Sequence, residues 1–325
     1  MRAAAFANAG IALTFVALGC DARLYPIRGA TTPLHCPTEM LGFATQGAGT
    51  TGGGMATPVT VTSADAFRAA AEAEASAVIL VDGTFALDDQ VHVASNKTIK
   101  GVDHAGFTGA GLDLTGSENV IIQNLSIARA VGEDAITVQR SRNVWIDHCD
   151  LGSDRDHPQG YYDGLVDITH ASDYVTVSWT VMHDHFDSGL VGHSDDNAAE
   201  DTGHLTVTLH HNYYTRIESG PRVRFGRVHV YDNLFEDVTL YAVVSQLEAQ
   251  ALIEQNWFAR VTTPIITSYK GTTEGAAHEV GNVYRESGAS EITMDASWRP
   301  TYLYDADSAE NAQALVSVCA GADKP

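Results

Sequence analysis

The 325-residue sequence is 44% hydrophobic and 18% charged, so one large domain or two ordinary ones can build a sizeable core, and the composition argues against disorder. Its formal net charge of −22 argues against nucleic acid and anionic membrane as partners. An acidic polymer would be held only through bound cations or a local cluster of arginines.

The first twenty residues read as an export signal. Arg2 supplies a positive start, Ile11 to Leu18 an apolar core, and Gly19-Cys20 a small-residue processing point. That run is too short to span a bilayer, and no later stretch is long enough. Two outcomes are open. Ala17-Leu18-Gly19-Cys20 loosely resembles a bacterial lipobox, which gives a lipid anchor at Cys20; otherwise the chain is simply secreted. Either route leads to an oxidising compartment. Cys36 and Cys319 lie near opposite ends, placed to staple the termini, and Cys149 reads as a buried thiol.

Residues 21–40 read as an irregular leader, and residues 41–325 as one domain. Gly47 to Gly54 is glycine-rich, but no Gly-Lys-Ser/Thr follows, so a close-packed turn is expected rather than a phosphate loop. Ser63 caps a helix expected over Ala64 to Ala75, with Asp65 in its first turn. Val78 to Val81 reads as a buried strand ended by Asp82-Gly83.

From Thr98 onward short β-branched runs recur, starting at Val120, Val144, Val175, Leu205, Val228 and Ala251. A near-constant step with occasional insertions marks a solenoid. Strands without intervening helices make it an all-β fold, a right-handed parallel β-helix with one short N-terminal helix. Asn124, His148, Asn212, Asn233, Asn256 and Asn282 end successive runs and are expected to form a ladder at one corner. The two longest steps place insertions at Gly152 to Tyr162 and Val191 to Gly203. In a solenoid such insertions become long loops on the binding face.

Between those insertions lies a carboxylate cluster. Asp163 and Asp167 are four residues apart and Asp134 sits about one coil earlier. An all-oxygen set suits calcium rather than a thiophilic metal; the alternative is solvated turn residues. Asp147 and Asp150 could suggest paired-carboxylate glycoside hydrolysis, but Asp147 is expected to be structural.

Five motifs in order carry a resemblance. They are Val144-Trp-Ile-Asp-His148, Tyr162-Asp-Gly-Leu-Val-Asp-Ile168, Tyr174-Val-Thr-Val-Ser-Trp179, Leu190-Val-Gly-His-Ser-Asp195, and Pro221-Arg-Val-Arg-Phe-Gly226 followed by Val228-His-Val-Tyr231. With Gly49-Thr-Thr-Gly-Gly-Gly54-like spacing near the start, the chain resembles the pectate lyases of polysaccharide lyase family 1 over roughly residues 41–290. The resemblance implies calcium-dependent β-elimination of polygalacturonate or a related acidic polysaccharide by an extracellular protein, expected to be a monomer. It implies calcium ligation by Asp134, Asp163 and Asp167. A further family aspartate falls on Gly132, where only Glu133 is nearby to help with a second ion.

Two departures stand out. The family lysine that grips the substrate carboxylate falls on Asp187, and the family catalytic arginine falls on Ser219; the second family arginine is kept as Arg224. Arg222 shares strand parity with Arg224, which makes it the candidate to replace the arginine missing at 219; the competing expectation is a structural ion pair with Glu218 or another acid. His183, His185 and His193 are further candidates for the missing base, with a hydrogen-bonded structural role as the alternative, and His185 and His193 are also candidate substrate-binding residues. Three readings follow: an active lyase, a binding protein that has lost elimination, and a lyase retuned to another uronate.

Overall fold

The computed structural model describes residues 36–324; the export segment, Cys20 and the leader up to residue 35 lie outside the described residues. The described strands are joined into parallel stacks running along one axis. One stack contains Glu118–Gln123, Arg142–Asp147, Asp173–Ser178, Thr206–His210, Arg227–Tyr231, Gln250–Glu254 and Ala276–Val280. A second contains Ser126–Ala128, Asp150–Gly152, Val181–Asp187, Tyr213–Ser219, Leu234–Gln246 and Trp257–Ile266. A third contains Leu112–Asp113, Ile136–Gln139, Val166–Thr169, Gly189–Val191 and Arg222–Arg224. The parallel β-helix expected from the repeats is the fold.

Alternation explains the core. Val120, Val144, Val175, Val207, Val228 and Ala251 stand in register, each buried, with Ile122, Ile146, Val177, Leu209, Val230 and Ile253 two residues on. Period-two apolar residues therefore stack like on like down the interior. The residues between them face outward and are covered by chain from both ends. Phe43 N–H donates to Thr208 Oγ1 at 3.0 Å and Ala44 N–H to Thr176 Oγ1 at 3.0 Å, while Tyr302 packs edge-on to Phe43. The ends are tied by the expected Cys36–Cys319 disulfide, and Cys149 is the buried free thiol. The glycine-rich stretch is a turn, as expected: Asn119 Oδ1 accepts from Thr51 and Gly52 N–H at 2.6 and 2.8 Å.

The corner ladder forms, with two members displaced. Asn212, Asn233, Asn256 and Asn282 each offer Oδ1 to the preceding coil: Thr180 N–H donates to Asn212 at 3.0 Å, and Asn212, Asn233 and Asn256 N–H to the next amide at 2.9, 3.0 and 2.9 Å. Asn124 and His148 are not in it. They occupy the residue before the ladder, which is left-handed in successive coils (φ 55° and 48°, as at Trp179, His211 and Asp232), and the ladder position in those coils is Leu125 and Cys149. A left-handed residue followed by an amide reads the same in sequence whichever of the two is polar. Likewise Leu205 precedes its strand with φ 61°, and Val207 is the register partner of Val175.

Local elements differ at their ends. Ser63 accepts from Ala66 N–H as a cap should, but the helix runs only Ala64–Glu72. The strand expected to stop at Asp82-Gly83 continues as Ala77–Ala86, with a register shift at that point absorbing the turn residues. Among the described residues two further α-helices are present: Ala198–Asp201, in the second insertion, and Ala309–Cys319, capped by Ser308, which carries the C-terminal half-cystine.

The buried Asn233 side chain accepts from Asn212 N–H and Nδ2, and its Nδ2 lies within hydrogen-bond distance of the Leu209 and Tyr231 carbonyls and Asn256 Oδ1, so Asn233→Ala leaves several polar groups of adjacent coils unpartnered. A loss of at least about 1–3 kcal/mol is expected in urea unfolding. A variant as stable as the parent would remove the ladder from the interactions that hold the coils in register.

Candidate active site

The third stack and the facing edge of the second enclose a hollow lined by Asp163, Gly164, Asp167, Asp187, Ser219, Gly220, Arg222, Tyr241 and Tyr269, among others. Its floor follows directly from register. Along one line Thr137, Asp167, Leu190, Arg222 and Val244 are partners in successive coils; along the other, Asp187, Ser219 and Tyr241 are. At about 4.8 Å per coil, the Asp167 and Arg222 backbones stand roughly 10 Å apart along the axis.

Asp134 and Asp167 converge at one end. Asp134 Oδ1 accepts from Gly164 N–H at 2.9 Å and Oδ2 from the Thr137 hydroxyl at 2.8 Å, while Asp167 Oδ1 accepts from Leu190 N–H at 3.0 Å. A side chain at 164 would fill the space between them, since a Cβ there lies 2.7 Å from Asp167 Oδ1 and 2.8 Å from Asp134 Oδ1. Burial pushes the Asp134 carboxyl up to about 6, against the Thr137 and Gly164 hydrogen bonds. Burial, then the neighbouring charges of Asp134 and Asp163, raise Asp167 well above the usual range. Asp163 is exposed at the mouth. An uncompensated pair of this kind suits a hard cation with oxygen ligands. The three are not a tight group: among the described residues the only three ligating side chains whose atoms all lie within 4.8 Å of one another are His211, Asp232 and Asp307, elsewhere.

The two arginines part company. Arg224 is buried, with Nε donating to Asp195 at 2.7 Å and Nη1 to the Gly192 carbonyl at 3.0 Å, so the loop after Val191 covers it. Arg222 lines the hollow. Its guanidinium stands 5.4 Å over the Tyr269 ring, its buried Nε has no partner, and no ion pair holds it among the described residues. The alternative partner Glu218 is engaged by Arg155 at 3.5 Å. Asp187 accepts from Gln159 Nε2 at 3.1 Å, a contact reaching in from the first insertion.

The histidines are placed outside the lining. His185 is buried, its Nδ1 accepting from Asp187 N–H at 3.2 Å, and burial lowers it to about 4, so it is neutral at ordinary pH and orients the 187 backbone. His193 is exposed and packs against His170, with ring centroids 4.1 Å apart. His183 bridges Asp150 and Asp184 at 3.1 and 2.7 Å, which raises it. Asp147 is buried and accepts from Ser178 at 2.6 Å, so Asp147 and Asp150 serve separate structural networks. Tyr241 and Tyr269, whose rings meet edge to face at 5.5 Å, complete the hollow and were not singled out from sequence; aromatic residues so far from any motif give no local signal.

The pectate lyase family model matches residues 27–325. The chain belongs to the pectate lyase family. It is 43% identical over 285 residues to pectate lyase A of Aspergillus niger, covering 86% of each chain, and 41% identical over 279 residues to pectate lyase B of Colletotrichum gloeosporioides, covering 85% and 84%. In structure it superposes on a Bacillus pectate lyase crystallised with trigalacturonate at a TM-score of 0.80 with 28% identity, covering 87% of this chain and 99% of that one. Asp187 and Ser219 line the hollow together with Arg222.

If Asp134 ligates calcium it must first lose its proton, so binding is expected to weaken as pH falls through about 6 and to be largely lost in Asp134→Asn. Calorimetric titration well above and well below that value checks both. Equal affinity at the two pH values would exclude Asp134 as a ligand.

Proposed function

We propose that the protein cleaves polygalacturonate or a related acidic polysaccharide by calcium-assisted β-elimination, with Asp134, Asp163 and Asp167 holding the ion and Arg222 replacing the arginine absent at 219. The observation that carries this reading is Arg222: a cation facing the acidic end of the hollow, two coils from Asp167, with no carboxylate of its own. Calcium, when bound, would offset the charge of the uronate carboxylate and favour loss of the adjacent proton.

The chain's residues supply the rest. The Asp134–Asp167 pair would hold the ion that draws the uronate carboxylate, and Gly164, lacking a side chain, leaves the space between the two aspartates open. Arg222, as the neutral guanidine, would take up the proton of the carbon beside the uronate carboxylate; the C–H electron pair becomes the ring double bond, and the glycosidic C–O bond breaks with its oxygen protonated from solvent. Guanidinium ordinarily keeps its proton, so positive charge around it matters. Lys270, 4.9 Å from the same Tyr269 ring, provides some. Tyr241 and Tyr269 form an apolar wall for the sugar ring. Arg224, tied to Asp195, acts as a positioning residue that closes the covering loop.

A second reading, a carbohydrate-binding relative without elimination, is favoured by one observation: Asp187 and Ser219 stand in the hollow where basic residues are expected from the family pattern. Export to an oxidising compartment is supported by the Cys36–Cys319 disulfide. Among the described residues no helix is long and apolar enough to cross a membrane; secretion and lipid anchoring at Cys20 are the two alternatives for the exported protein.

Elimination leaves a double bond conjugated to a carboxylate, so ultraviolet absorbance of protein mixed with polygalacturonate should rise with calcium and stop rising with a chelator. Arg222→Ala should slow the rise by a factor of about 10²–10⁴ while calcium affinity is kept. Calcium-dependent binding without any rise establishes the second reading, and full activity of Arg222→Ala removes Arg222 from the chemistry.

A further inference from the structure

The tightest ligating group lies on another part of the surface. His211 and Asp232 occupy the left-handed corner position in successive coils (φ 54° and 55°), so their side chains leave the solenoid side by side. Asp307, just before the C-terminal helix, comes down on them. His211 Nε2 is 3.3 Å from Asp307 Oδ2 and 3.7 Å from Asp232 Oδ2. Two atoms each about 2.1 Å from one tetrahedral ion lie about 3.4 Å apart, so these separations fit a shared metal as well as a hydrogen bond.

A second observation favours the metal. Asp232 is fully buried, and its Oδ1 has no partner. Its other oxygen receives only the Asp307 N–H, at 3.0 Å, and the His211 contact is long for a hydrogen bond. Two carboxylates thus meet one imidazole, with a buried oxygen unsatisfied, which is costly without a cation. His211 is also supported as a ligand should be: its Nδ1 lies 2.9 Å from His210 Nδ1, so a proton on His211 Nδ1 leaves Nε2 free to coordinate. The Trp179 ring stacked on His211 at 4.2 Å fixes the imidazole plane.

We propose that His211, Asp232 and Asp307 form a binding site for a zinc-class divalent cation, distinct from the acidic hollow. One imidazole and two carboxylates leave room for water as a further ligand and suit Zn2+ better than the all-oxygen preference of calcium. Its place in the fold gives it a structural role. The ion would pin the chain leading into Ala309–Cys319 onto two coils of the solenoid, beside the segment that buries Tyr302.

The test uses the folded, disulfide-bonded protein, stripped of metal and then saturated with calcium so that the hollow is filled, and titrated with Zn2+ by calorimetry. One equivalent of zinc per chain is expected, and Co2+ in its place should give visible absorption bands of a histidine-ligated ion. Asp307→Asn, at a partly exposed position, should weaken Zn2+ binding at least about tenfold. Asp163→Asn should leave it unchanged. No zinc binding, or zinc binding equal in Asp307→Asn and the parent, overturns the proposal; so does loss in Asp163→Asn with retention in Asp307→Asn, which would put the ion in the acidic hollow.

Discussion

In-register hydrogen bonding between successive coils is the constraint on which the rest of the molecule depends. Each coil is useless alone, since its apolar residues have nothing to stack on and its backbone amides nothing to bond. Once stacked, a coil fixes the sequence-distant neighbours of every outward residue: Asp167 beside Leu190 and Arg222, Asp187 beside Ser219 and Tyr241. The amide ladder through Asn212, Asn233, Asn256 and Asn282 enforces that register at the corner. A slip would dismantle the hollow and the core together.

Electrostatics then decide what the hollow can hold. The chain carries a formal charge of −22, and Asp163, Asp167 and Asp187 all face the hollow. An anionic sugar meets net repulsion there unless a divalent cation bridges it to the Asp134–Asp167 pair and Arg222 takes the other end. Burial raises both aspartates, which is the same desolvation seen from the protein's side: charged without a cation they are costly, and with one they are matched. With Asp187 and Ser219 in the hollow, the proposed function puts the task of attracting substrate onto calcium and Arg222.

Much of this was legible in the sequence because a solenoid writes its structure locally. Recurring Val-x-Val runs gave the strands, the longer steps gave the loops, and Cys36 and Cys319 paired as their positions near the two ends suggest. What escaped depends on contacts without local pattern. Arg222 and Arg224 have the same parity, but only Arg224 lies under the loop bearing Asp195, and nothing near either residue says so. Asp232 and Asp307 are 75 residues apart, and Asp307 lies in the stretch after the last strand, which carries no repeat. The ladder was misplaced by one residue at Asn124 and His148 because a left-handed corner tolerates asparagine as readily as the ladder demands it.

The arrangement that matters most is a uronate held between the aspartate pair and Arg222. A crystal structure of the protein with calcium and a galacturonate oligosaccharide tests it directly. Expected is an ion ligated by Asp134, Asp163 and Asp167 that also contacts a sugar carboxylate, with the Arg222 guanidinium swung off Tyr269 to within hydrogen-bond distance of the same sugar. A sugar bound elsewhere, or one whose uronate carboxylate meets the ion while Arg222 stays on the tyrosine ring, would contradict the assignment of Arg222.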